Sequence, residues 1–366
     1  MGRGTLGAVL AALLGACQTT PAAPPRAERS PTERARQHAF QVPPPPAAPA
    51  SEADWCVSGG AALVGAPVVD ADDRLYFASA DGTLHAFEAD GRYRFSFTLR
   101  GTPLGSVSLR PADGSILLGT TERLVYAVSQ NGVLRWSFSA LTPVWSGIVP
   151  LDATSVVFLG LDRFLYALTT TGAARYRVRI PGEPVGEPLV TADGAVWIPL
   201  QDGAARVVGA RAAQKIALSG AVETLVAQAR GVAARSGRSV VLLRADGSIQ
   251  ERLEADEIGG SAAGLALVQN TGALEWRSAR GTQRTTAKLG ARLSASPLVT
   301  TDLVALPLQN GDLGLLNAAG TLELRKLGGA ALGRPVAGRT RLFVPMADGQ
   351  ICALTPTPKV AWPRPE

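Results

Sequence analysis

The sequence predicts an all-β fold, an eight-bladed β-propeller of four-stranded antiparallel blades. Three observations predict it: a hairpin motif that recurs, a regular spacing between its copies, and too few residues between copies for a helix. The motif is plainest in RLVYAVSQNGVLRWSF (123–138), where two apolar runs flank Gln130-Asn131-Gly132. Asparagine and glycine tolerate positive φ, so such a pair bends a chain into a hairpin. With Ala127 as the fixed point, Asp81 to Phe97 and Asp162 to Val178 repeat the pattern. An aromatic residue stands nine positions after each fixed alanine, at Phe95, Trp136 and Tyr176. With openers at Asp81, Glu122 and Asp162 in these three, fainter copies open at Asp202, Ser236, Thr271, Asn310 and Asp348, so successive openers lie 41, 40, 40, 34, 35, 39 and 38 residues apart.

Upstream of each opener comes a short β-like run, such as LYFAS, VVFLG or LFVPM, and several are preceded by a further run that starts near Pro67, Pro188, Pro297 or Pro335. Four strands of about 5 residues and four turns of about 4 account for a period of about 38. No residues remain for a crossover helix. That disfavours helical and leucine-rich repeats and favours four-stranded sheets packed face to face around an axis.

Ahead of the repeats, MGRGTLGAVLAALLGAC (1–17) joins Arg3 to an apolar run that ends in small residues, the pattern of a secretory signal too short to span a bilayer. Leu14-Gly15-Ala16-Cys17 resembles the bacterial lipobox, in which the cysteine becomes the lipidated first residue of the mature protein; the alternative is a plain signal with a chance cysteine. In lipoproteins of that kind an aspartate after the cysteine retains the protein at the inner membrane, and Gln18 at this position points to the outer membrane. Residues 18–53 are rich in proline and alanine and poor in bulky apolar groups, which predicts a disordered tether. The propeller is expected over 54–366.

Composition narrows the function. Hydrophobic residues make up 46% of the chain, ample for a large core. The formal charge of +6 is scattered, with no basic run of the kind that binds phosphate backbones, so nucleic acid is not an expected partner. Only two histidines, His38 and His85, are available for imidazole chemistry, and the alignment of His85 with Tyr126 and Tyr166 marks it as a packing position. Asp70, Asp72 and Asp73 raise the question of calcium, but the glycine and distal glutamate of a helix-loop-helix site are missing, and the acids read as turn decoration. The aromatics Trp136, Tyr176, Trp145 and Trp197 could form a stacking platform, yet their repeated positions read as packing between blades. Trp55, Phe95, Trp136 and Tyr176 are the expected blade-packing set.

A propeller has to join its last blade to its first or keep an open edge. Trp55 precedes Gly65 by the same ten residues that separate Tyr176 from Gly186, so Asp54 to Gly60 occupies the place of an outermost strand and is expected to complete blade 8. Trp362 competes for that slot, on a weak, proline-rich segment. By analogy with the first hairpin, Cys56 falls opposite or one step from Cys352. A disulfide there would close a loop of almost 300 residues, with two buried thiols as the alternative.

The unit xVYAVxxxxGxxRWSF resembles the PQQ-like β-propeller repeat, over roughly residues 54–366 and most clearly in the first three units. With a lipobox and eight units, the chain resembles the BamB-type lipoproteins of the outer-membrane β-barrel assembly machine. The resemblance implies a non-catalytic propeller, without cofactor or metal, that binds the periplasmic domains of the central barrel protein. It implies a lipid-anchored place on the periplasmic face of the outer membrane, as a monomeric propeller within a complex of envelope proteins. The tether here is longer than that type leads one to expect. A lipid-anchored binding module for another envelope protein or a polysaccharide is the alternative. The same repeat also serves quinoprotein dehydrogenases, which seat their quinone over two adjacent cysteines, and no two cysteines are adjacent here.

Overall fold

The computed structural model describes residues 55–279 and 284–355. The signal and lipobox segment with Cys17, the tether 18–53 and Trp362 lie outside the described residues. Strand β1 (Trp55–Ser58) is followed by blade 1, β2 to β5 (Leu63–Val69, Leu75–Ser79, Thr83–Phe87, Tyr93–Thr98). Blade 2 is β6 to β9 (Ser108–Leu109, Ile116–Gly119, Leu124–Val128, Leu134–Ser139), and blade 3 is β10 to β13 (Val149–Asp152, Ser155–Leu159, Phe164–Thr169, Ala174–Arg179). Blade 4 is β14 to β17 (Leu189–Val190, Ala195–Leu200, Gly203–Val208, Gln214–Ala217), and blade 5 is β18 to β21 (Thr224–Gln228, Gly231–Ser236, Ser239–Arg244, Ile249–Glu254). Blade 6 is β22 to β25 (Glu257–Ser261, Gly264–Val268, Ala273–Ser278, Arg284–Lys288), and blade 7 is β26 to β29 (Leu298–Val299, Leu303–Pro307, Asp312–Asn317, Leu322–Lys326). Blade 8 takes β30 to β32 (Val336–Ala337, Leu342–Pro345, Gln350–Leu354) and receives β1 as its outer strand, in the order β1-β32-β31-β30. The described residues contain no helix. The molecule is an eight-bladed propeller closed by its N-terminal strand.

The second strand of each blade is a continuous apolar run because it is buried on both faces. Successive side chains point to opposite sides, so in blade 3 Val156 and Phe158 meet blade 2 while Val157 and Leu159 meet blade 4. Eight buried clusters result among the described residues, one for each pair of neighbouring blades and one across the seam, where Trp55, Val57, Phe343 and Ile351 of blade 8 pack on Leu75, Phe77 and Phe87 of blade 1. The core is thus a ring of interfaces. Each fully buried Leu, Ile or Phe contributes about 2 kcal/mol.

The inner strands are shorter than a uniform four-strand unit predicts: β6, β14, β26 and β30 have two residues each. Before them the chain makes one isolated bridge, such as Pro103 to Thr120 or Ala331 to Met346, and then bulges. In blades 2, 3, 4 and 8 the bulge is Gly105-Ser106, Ser146-Gly147, Gly186-Glu187 and Gly333-Arg334. Crowding at the axis explains the small residues, because a Cβ on Gly105 would lie 2.0 Å from the Gly147 nitrogen. Blades 5 and 6 lack this bulge. Their inner strands β18 and β22 pair without a break, and only Ala255 and Asp256 separate β21 from β22, which accounts for the short intervals of 34 and 35 residues.

Candidate functional site

Each antiparallel blade puts its second-to-third-strand turn on the same side of the disc as the connection to the next blade. Backbone hydrogen bonds tie the two together: Thr121 N to Thr102 O, Leu161 N to Pro143 O, Gln201 N to Glu183 O and Ala347 N to Ala330 O. This face collects five of the nine exposed large apolar side chains among the described residues: Leu104, Leu141, Leu161, Val185 and Leu332. Leu141 is 68% and Leu161 54% exposed. Leu104, Trp145, Val185 and Leu332 each directly follow the residue that makes the isolated bridge, so the same structural slot recurs around the mouth of the channel.

Two arginines stand out on the same face. Arg123 and Arg163 hold φ of 63° and 62°, where the matching turns of blades 1, 7 and 8 carry Gly82, Gly311 and Gly349. Left-handed backbone costs a side-chain-bearing residue roughly 1 kcal/mol, and such strain persists only where surrounding contacts enforce it. Here Arg163 N donates to Gly160 O and Ile180 N donates to Arg163 O, while Ala140 N donates to Arg123 O. Beside Arg163, Asp162 accepts from the Phe164 amide and from the Tyr166 hydroxyl at 2.5 Å. Burial and that carboxylate push the Tyr166 hydroxyl up to about 12. Both arginines are exposed, and neither has an ion-pair partner among the described residues. A cavity of about 390 Å³ opens beside Arg163, between blade 3 and the connection to blade 4, lined by Trp145, Gly160, Leu161, Arg163, Glu183 and Pro184. Apolar side chains around fixed cations suit docking of another polypeptide.

The aromatic set sits at the blade perimeter. Trp55 covers Gly91, Phe95 covers Gly132 and Trp136 covers Gly172 of the following blade, each so closely that an added Cβ would lie 2.7–2.8 Å from the ring. Trp136 Nε1 also donates to Thr170 O at 2.8 Å. Tyr176 packs half-buried against the cluster between blades 3 and 4, while no side chain lies over Gly209. Trp145 joins that cluster too, and Trp197 is buried between blades 4 and 5. Cys56 is directly opposite Cys352 in register and joined to it by a disulfide. His85 is buried against Phe77, its Nε2 2.8 Å from Ser79 Oγ, and burial lowers its basicity.

The aspartates of the first turn do more than decorate it. Asp70 is buried and accepts from the amides of Asp72 and Arg74, the Tyr76 hydroxyl and Gln130 Nε2 of blade 2, each at 2.9 Å. Asp73, at φ 60°, accepts from the Arg339 amide and from the Thr340 amide and hydroxyl, which ties blade 1 to blade 8 across the seam. Among the described residues no cluster of His, Cys, Asp and Glu is gathered as metal ligands. The arginines at glycine positions were readable by aligning the repeats; the Asp73 contact, 266 residues away in sequence, had no local signal.

The fold and its repeats define an eight-bladed β-propeller of four-stranded blades. Residues 47–143, which hold the closing strand and blades 1 and 2, match a family model described as outer membrane protein assembly factor BamB. Among solved structures, BamB from Moraxella catarrhalis superposes with a TM-score of 0.65 at 14% identity, over 82% of this chain and 98% of that one. The computationally designed Ika8 protein gives the same TM-score at 12% identity, over 82% and 98% of the two chains. Likeness at this level establishes architecture alone, since a designed protein shares it equally. No curated protein matches the sequence.

Proposed function

We propose that this chain is a non-catalytic scaffold lipoprotein, BamB-like, anchored through Cys17 on the periplasmic face of the outer membrane. It docks an outer-membrane assembly partner on the face that carries Arg123 and Arg163. The observation that carries the docking surface is the gathering of Leu104, Leu141, Leu161 and Val185 around two exposed arginines held in left-handed backbone, on one side of blades 2 to 4. The family match over residues 47–143 supports the assembly partner in particular. The Cys56–Cys352 disulfide suits an oxidising compartment such as the periplasm.

The test uses the full lipidated chain in outer membranes, with a photo-crosslinking residue at Leu141 or Leu161 and, as a control, at Val133 on the opposite rim. Crosslinks from Leu141 and Leu161 to the central barrel-assembly protein, and none from Val133, are the expected result. Capture of an unrelated envelope complex would favour the alternative binding module, and crosslinks from Val133 alone would overturn the docking face. Mass spectrometry of the N-terminal peptide checks lipidation of Cys17.

A further inference from the structure

The channel at the centre of the propeller holds an arginine without a counter-charge. Arg334 belongs to the bulge before β30 and extends past blade 7 to donate Nη2 to Gly260 O on β22 of blade 6, at 3.3 Å. Joining inner strands two blades apart places the guanidinium on the channel side of the ring. Its Nε is buried and unpartnered, and no carboxylate lies within ion-pair distance among the described residues. Burial pulls this guanidinium below its ordinary range. The acid on the same inner strand as Gly260, Glu257, is engaged by Arg235 at 3.5 Å.

A buried charge is costly unless paired, and the ring shows how it treats an oxyanion elsewhere. Glu187, from the bulge of blade 4, places Oε1 2.6 Å from the Ser106 amide and 3.3 Å from the Gly147 amide, so the bulges of blades 2 and 3 already hold a carboxylate. Blades 5 and 6 lack the bulge, and Arg334 reaches the inner strand of blade 6 where no such carboxylate is held. We propose that the central channel binds a small oxyanion, a carboxylate or a phosphate group, on the Arg334 guanidinium. The planar fork of arginine donates two parallel hydrogen bonds to either group.

The test titrates the purified full chain with inorganic phosphate and, separately, with acetate, at ionic strength held constant with sodium chloride. Binding is followed by calorimetry and by the thermal midpoint. Saturable binding of at least one anion, weakened tenfold or more in Arg334→Gln and partly retained in Arg334→Lys, is the expected result; the tighter anion identifies the source. Absence of saturable binding of both anions by the unmodified chain would overturn the proposal, and so would equal binding by Arg334→Gln. Should Arg334→Gln fail to fold, the midpoint of the unmodified chain decides: it rises with anion concentration as mass action requires, or the proposal fails.

Discussion

Blades 1 to 3 and blades 4 to 7 solve the same packing problem with different residues. In the first region an aromatic ring on the outer strand lies over a turn glycine of the next blade, as Trp136 does over Gly172. In the second region the ring is replaced by smaller groups, Ile216 against Gly247 and Thr285 against Gly320. There, ion pairs bridge neighbouring blades, Arg277 with Glu251 at 3.2 Å and Arg235 with Glu257 at 3.5 Å. The buried clusters between blades persist throughout. Core burial therefore maintains the ring, and the perimeter contact is free to diverge. The family match spans residues 47–143, the part where the aromatic interlock is intact.

The seam offers the largest test of this contrast. It combines the disulfide with the Asp73 contacts to Arg339 and Thr340, and the cross-link closes a separation of 296 residues. Reduction, or Cys352→Ser, is expected to lower the unfolding free energy by about 3 kcal/mol, as read by urea denaturation with and without reductant. Loss below about 1 kcal/mol would mean that β1 pairing and Asp73 hold the seam by themselves.

Next comes the interlock. Trp136→Ala is expected to cost about 3 kcal/mol and Thr285→Ala less than about 1 kcal/mol, both measured by chemical denaturation. Equal losses would break the distinction between the two regions. A smaller contrast separates two turn glycines with positive φ. Gly172→Ala meets both backbone strain and the Trp136 ring, for a cost of roughly 2 kcal/mol, whereas Gly209→Ala meets strain alone, for roughly 1 kcal/mol.

The smallest effect concerns acid. Burial alone would raise the Asp113 carboxyl, but hydrogen bonds from Arg110 and Ser115 outweigh it and hold the group at about 2. A carboxylate depressed in the folded state adds stability above its ordinary range near pH 4 and loses that contribution as pH falls through the folded value. Thermal midpoints of the unmodified chain should therefore decline more steeply between about pH 4 and pH 2 than those of Asp113→Asn. Parallel curves would remove Asp113 from the account.

Much of this molecule was legible in the sequence because repetition amplifies weak local signals. The run SVVFL of β11 alternates between two buried faces, and Asn131-Gly132 marks the turn from β8 to β9, so blade 3 and blade 2 were readable from pattern and spacing. The Trp55 segment was readable as a candidate closing strand because Trp55 keeps the repeat's distance to Gly65. Arg123 and Arg163 were legible in principle, standing where sister repeats carry Gly82 and Gly311. The inner bulges were not, since glycine and serine before a short strand look like any turn.

By itself, then, the sequence determined the repeated hairpins and the blade count, because period, alternation and turn chemistry are local and recur from copy to copy, and it left the closing strand between the Trp55 and Trp362 segments. Only the tertiary structure decided which buried polar groups meet: Asp73 with Thr340, Glu187 with Ser106, Arg334 with Gly260. Those partners lie between 74 and 267 residues apart, and closure of the ring is what brings them within hydrogen-bonding distance.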